Sequence, residues 1–201
     1  MLKSGFTKFA RFVLRVYTFI CYRVEVVNPD KYSYGSKLIC SNHVNASDPV
    51  ILAAKLPEIP RFMGKEQLFN KPILGWILTT CGGLPVARDG QGSDIKVLKT
   101  SLRILKNKES LLLFPEGTRN RGKEPLEVKA GIAMMAIKAK VPVMPISIEY
   151  TKKIFGKVRV EFGDLIELDE YYGQKLTSDE YQAVAQKIID DVYKMKKWEV
   201  Q

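Results

Sequence analysis

The chain carries a single histidine, His43, within Ser41-Asn42-His43-Val44-Asn45-Ala46-Ser47-Asp48-Pro49. An imidazole is the side chain best suited to taking up and returning a proton near neutral pH, provided a partner holds one tautomer. Asp48 stands five positions further on. Followed by Pro49, it reads as a helix start, with Asp as the cap and Pro in the first helical position. A turn between a strand and that helix can fold back so that the carboxylate accepts a proton from His43 Nδ1. Nε2 is then left as a base. Spacing alone leaves a second reading open: a polar loop histidine followed by an ordinary helix cap.

The next groups suited to chemistry lie in Phe114-Pro115-Glu116-Gly117-Thr118-Arg119-Asn120-Arg121. This stretch follows an apolar run read as a buried strand, which places it at the carboxyl edge of a sheet, where α/β ligand sites gather. Gly117 permits a tight turn, and Arg119 and Arg121 can grip phosphate through planar guanidinium groups. The same stretch fits G-x-x-x-x-G-K from Gly117 to Lys123, but Glu124 and Pro125 follow where a P-loop needs a hydroxyl and a helix. A nucleotide-hydrolase reading is therefore set aside. Lys65, in Gly64-Lys65-Glu66-Gln67-Leu68-Phe69, and Arg88, after Gly83-Leu84-Pro85-Val86-Ala87, are further candidate phosphate ligands.

The elements that must hold these residues alternate. Strands are expected at 37–41, 61–63, 83–87, 111–114, 141–148 and 158–162, the last half-exposed by its alternation. Helices are expected at 48–56, 72–80, 93–106 and 130–140, with a final one opened by a capping box over Thr177–Glu180. The alternation predicts an α/β fold: a single domain with a largely parallel or mixed sheet flanked by helices. With 201 residues there is room for one sizeable core. A lone histidine, and three cysteines (Cys21, Cys40, Cys81) with no C-x-x-C pair, argue against a zinc site and a disulfide framework. The cysteines read as packed apolar groups in a reducing compartment.

The net charge is +10, which favours anionic partners: nucleic acid, lipid head groups or phosphorylated substrates. Residues 1–23 contain five cations and no acid, interleaved with aromatics. At 100° per residue, Lys8, Arg11 and Arg15 fall on one face, and Phe9, Val13, Val16, Tyr17 and Ile20 cover the other. That pattern predicts an amphipathic helical membrane-binding arm over residues 1–28, basic groups at the head groups and aromatics below, ahead of a catalytic domain over 29–201. The uncharged runs are too short to span a bilayer. The clustering of Phe in the arm suits lipid better than nucleic acid, and no nucleic-acid partner is expected.

Taken in order, NHVNASDP, GKEQLF, FPEGTR and VPVMPI resemble the four motifs of the glycerolipid acyltransferases, nearest to the bacterial 1-acyl-sn-glycerol-3-phosphate (lysophosphatidic acid) branch. The resemblance runs from Ser41 to Ile148. It implies that His43 and Asp48 are the family's H-x-x-x-x-D dyad. Arg119 and Lys65 would hold the acceptor's phosphate, with Glu116, Gly117 and Thr118 of the same E-G-T-R motif; Arg88 is added to that phosphate site as a candidate from its own position. Pro142 and Pro145 match the motif linked to the acyl chain. It further implies transfer from acyl carrier protein or CoA thioesters to the sn-2 hydroxyl of lysophosphatidic acid, with no covalent intermediate and no metal or bound cofactor. The setting would be peripheral or monotopic, at the anionic cytoplasmic face of the cell membrane. Other acceptors, such as glycerol 3-phosphate or another lysophospholipid, and a non-catalytic basic phosphate- or nucleic-acid-binding module remain as alternatives. Asn45 departs from the serine many members have there.

Overall fold

The computed structural model describes residues 4–86, 93–122, 124–151 and 156–197. Helix α1 (Ser4–Cys21) leads into strand β1 (Arg23–Val27), followed by β2 (Leu38–Ser41), α2 (Asp48–Lys55), β3 (Arg61–Lys65), α3 (Glu66–Phe69), α4 (Pro72–Thr80) and β4 (Gly83–Val86). The remainder is α5 (Ser93–Lys106), β5 (Leu111–Leu113), α6 (Gly131–Ala139), β6 (Val143–Tyr150), β7 (Lys157–Phe162) and α7 (Ser178–Lys194).

The strands form one seven-stranded sheet in the order β1-β7-β6-β2-β5-β3-β4. Every pairing is parallel except β6 with β7. Thus β6, β2, β5, β3 and β4 point one way, while β7 and β1 point the other. The loops after β2, β3, β4 and β5 consequently leave from the same edge. That shared edge positions the site.

Alternate residues of each strand go to opposite faces. Ile39, Leu112, Ile146 and Ile148 join a core with Leu14 of α1, Ile51 and Leu52 of α2 and Leu78 of α4. Leu38, Cys40 and Leu111 join a second core with Leu105 of α5, Ile132 and Ala136 of α6 and Ile188 of α7. Two helical layers therefore cover both faces, and the central strands read as continuous apolar runs for that reason. All three cysteines are free. Burial raises the thiol pKa of Cys40, and it lifts that of Cys81 to about 12.

Three expectations change. Strand β7 is buried on both faces from Val158 to Phe162, not half-exposed. Its polar residues Arg159 and Glu161 are tolerated inside because they pair with each other at 2.5 Å, and Arg159 also meets Glu149 at 3.4 Å. Residues 23–27, assigned with the arm, pair with β7 as a strand of the sheet. The capping residue of α2 is Ser47, with Asp48 in the first turn; the carboxylate is turned back toward the preceding loop. The capping box at Thr177 and Glu180 forms as expected.

Candidate active site

His43 follows β2 by two residues, and α2 begins five residues later with Asp48, which is fully buried. The turn between them closes on the carboxylate. His43 Nδ1 lies 2.7 Å from Asp48 Oδ2, and the same oxygen accepts the backbone N–H groups of Val44 at 2.7 Å and Asn45 at 2.8 Å. The other oxygen, Oδ1, accepts the hydroxyl of Tyr150 at the end of β6. Burial and the facing carboxylate push the Tyr150 hydroxyl pKa far above its ordinary value, so it remains a donor. Three other donors converge on Asp48, as suits an acceptor-only carboxylate, and the tautomer that matches has its proton on Nδ1, with the lone pair on Nε2. The His43 side chain is 20% exposed and its ring stacks on Phe114 at 4.4 Å between centroids, tilted by 25°.

The backbone of His43 is held as firmly as its ring. Its N–H donates to Glu116 Oε2 at 3.2 Å, and its carbonyl accepts the Asn120 N–H at 2.6 Å. Glu116 Oε1 in turn accepts Tyr193 Oη at 2.6 Å and Asn120 Nδ2 at 2.8 Å. Glu116 thus ties the loop after β5 to the loop after β2. Its carboxylate is committed to donors of the protein itself, which is how a negative group fits beside a site expected to hold phosphate. Gly117 stands at φ 65°, the left-handed region, and its N–H closes the turn onto Phe114 O at 3.1 Å. A Cβ there would meet nothing within 4 Å, so backbone conformation rather than space calls for glycine.

Lys65 ends β3, and Thr118 and Arg119 follow β5; all three are exposed. β5 lies between β2 and β3, so His43 and Lys65 leave strands about 10 Å apart on one edge, with Arg119's loop between them. Arg88 lies outside the described residues. Pro142 and Pro145 are not brought to this edge. Pro142 precedes β6 at the opposite edge, where its carbonyl accepts the Leu38 N–H at 3.0 Å, and Pro145 pairs with Cys40 inside the sheet.

The Acyltransferase family model matches residues 23–149. The chain belongs to the acyltransferase family. Curated members include a 1-acyl-sn-glycerol-3-phosphate acyltransferase of Streptococcus pneumoniae, 31% identical over 75% of this chain and 57% of its own. Another, from Escherichia coli with the same description, is 30% identical over 72% of this chain and 60% of its own. The chain therefore spans about three fifths of the length of these relatives. The crystal structure of the 1-acyl-sn-glycerophosphate (LPA) acyltransferase from Thermotoga maritima shares the fold, with a TM-score of 0.70, 22% identity, and coverage of 96% of this chain and 80% of that one.

Tyr150 and Tyr193 lie past the family match and past every motif in the sequence. Asn120 adjoins Arg119 but shows no chemistry of its own. A buried tyrosine or asparagine declares its role only through the partner it reaches. The link from Tyr150 to Asp48 spans 102 positions and that from Tyr193 to Glu116 spans 77. Tyr22, just after α1, donates to Ser47 Oγ at 3.0 Å beside Asp48, a further connection with no signal in local sequence.

Proposed function

We propose that this chain moves a fatty acyl group from a thioester to the sn-2 hydroxyl of 1-acylglycerol 3-phosphate, giving phosphatidic acid. The observation that carries this reading is the 2.7 Å pairing of His43 Nδ1 with buried Asp48, at the sheet edge shared by Lys65 and Arg119. Nε2 of His43 removes the proton from the acceptor hydroxyl as its oxygen attacks the thioester carbonyl carbon. The tetrahedral oxyanion collapses, the carbon–sulfur bond breaks, and the imidazolium returns the proton to the departing thiolate. Asp48 holds the tautomer and offsets the charge on the ring. Arg119 and Lys65 bind the acceptor's phosphate and so bring the hydroxyl to Nε2; positioning of this kind lowers a barrier by about 7–11 kcal/mol at its best. Family membership and the names of the relatives support the acceptor. The donor is an acyl carrier protein or CoA thioester, both anionic and both suited to a chain of charge +10.

Membrane association at the cytoplasmic face belongs to the same reading. Among the described residues no helix is long and apolar enough to cross a membrane. Helix α1 leaves Phe9, Phe12, Val16, Phe19 and Ile20 exposed. Two of its basic groups reach the protein: Arg11 donates to the carbonyls of Leu56 and Pro57, and Arg15, itself exposed, to Ala54 O at 3.4 Å. They cap the carboxyl end of α2, which leaves the apolar face for lipid.

The test is the purified chain with labelled acyl-CoA or acyl carrier protein thioester, offered lysophosphatidic acid, glycerol 3-phosphate and other lysophospholipids. Labelled phosphatidic acid is expected. Transfer to glycerol 3-phosphate alone would reassign the acceptor, and no transfer to any of them would refute the enzyme reading.

A further inference from the structure

Exposed large apolar side chains concentrate, among the described residues, in two places. One is α1. The other is the corner formed by α3 and α4, where Leu68, Ile73 and Trp76 stand outward, Ile73 at 78% and Trp76 at 45% exposure. This corner is built rather than loose. Phe69 turns inward and packs on the core that holds α1, α2 and α4. Gly75 comes so close to Phe69 that a Cβ on it would lie 2.1 Å from the Phe69 carbonyl oxygen. The close approach locks α3 against α4 and leaves Leu68, Ile73 and Trp76 facing away from the core.

Two further observations say what such a corner meets. Its exposed charges are Lys65, Lys71 and Glu66, two cations and one anion flanking the apolar residues along the chain. A tryptophan and aliphatics set among lysines match the interfacial zone of a bilayer with anionic head groups. The corner also starts at the carboxyl end of β3, on the sheet edge that carries His43. α1 ends at that same edge: β1 runs antiparallel to β6 through β7, and Tyr22 reaches Ser47. α1 and α4 share one face of the sheet, α1 packed against α2 and β1, α4 against β4 at the far side.

We infer that the α3–α4 corner is a second membrane contact, meeting an anionic lipid surface through Leu68, Ile73 and Trp76, so that the bilayer touches the protein on both sides of the His43 loop. The inference rests on the lipid-acyltransferase reading only for the reason the surface exists. It explains how an acceptor whose acyl chain stays in the bilayer presents its hydroxyl to His43 without leaving the lipid.

The experiment compares the full chain with Ile73→Ser/Trp76→Ser, and separately with Phe12→Ser/Phe19→Ser, by co-sedimentation with phosphatidylglycerol-containing and phosphatidylcholine vesicles. Binding of the Ile73/Trp76 variant to anionic vesicles should fall by about tenfold or more, the size expected when two buried apolar side chains are lost, with circular dichroism and melting unchanged. Activity on long-chain substrates presented in vesicles should fall in parallel, while activity on short-chain substrates in solution stays the same. Unchanged vesicle binding in that variant would overturn the inference. So would a wild-type dimer that the variant converts to monomer without loss of vesicle binding, since the face would then join two copies of this chain. A wild type that binds vesicles through Ile73 and Trp76 but transfers no acyl group would uphold this surface and refute the catalytic reading.

Discussion

The two halves of the site are built differently. Around His43 the support is dense: Asp48 meets four partners, and the His43 backbone is held by Glu116 and Asn120. Around the expected phosphate, Lys65 and Arg119 are exposed and make no hydrogen bond or ion pair with other described residues. A base must stay in one orientation through every turnover, so its support is permanent. Cations that bind an anion keep their donors open for it, and a strong internal partner would compete with the ligand.

The sharpest break of this contrast is His43→Ala. Turnover should fall about 100-fold or more, the size of general-base effects, with little change in acceptor KM; near-normal kcat would dissolve the distinction. Arg119→Ala comes next and should act on the opposite parameter. Losing a charge-assisted hydrogen bond worth about 1.5–3 kcal/mol raises KM for the phosphorylated acceptor about 10- to 100-fold. An equal loss with an acceptor lacking phosphate would show that Arg119 serves something else. Tyr193→Phe removes one hydroxyl donor from Glu116 while keeping the ring. A fall in kcat/KM of about 2- to 10-fold is expected, and unchanged kinetics would mean that Glu116 holds the His43 loop without help from α7. Smallest is Thr177→Ala, at the capping box of α7, at the opposite end of that helix from Tyr193. It should cost about 1 kcal/mol of stability, read as a lower melting temperature, and leave kcat untouched.

The pairing of His43 with Asp48 was legible because the two are five positions apart within one strand-to-helix turn, and local geometry decides whether they meet. Helices α4 and α5 have the bounds their apolar spacing predicts, Pro72–Thr80 and Ser93–Lys106. Strand β7 misled because its Arg159 and Glu161 look solvent-facing in sequence, and only pairing across the sheet makes them stable inside. The arm misled in part for the same reason. A helical projection separates a basic face from an apolar one but cannot say which face meets the protein. Here the carbonyls at the end of α2 claimed the arginines.

Sequence by itself determined the kinds of chemistry present: one imidazole, one carboxylate within a turn's reach, and cations placed after successive strands. It also determined an alternation of elements that permits only layered α/β packing. The tertiary structure alone decided which strand ends share an edge, which buried donors complete Asp48 and Glu116, and which face of α1 is left to solvent. Local conformation follows from neighbours along the chain. These choices depend on partners 77 and 102 positions away, whose meeting is set by how the two cores pack and by the cost of burying a polar group without a hydrogen bond.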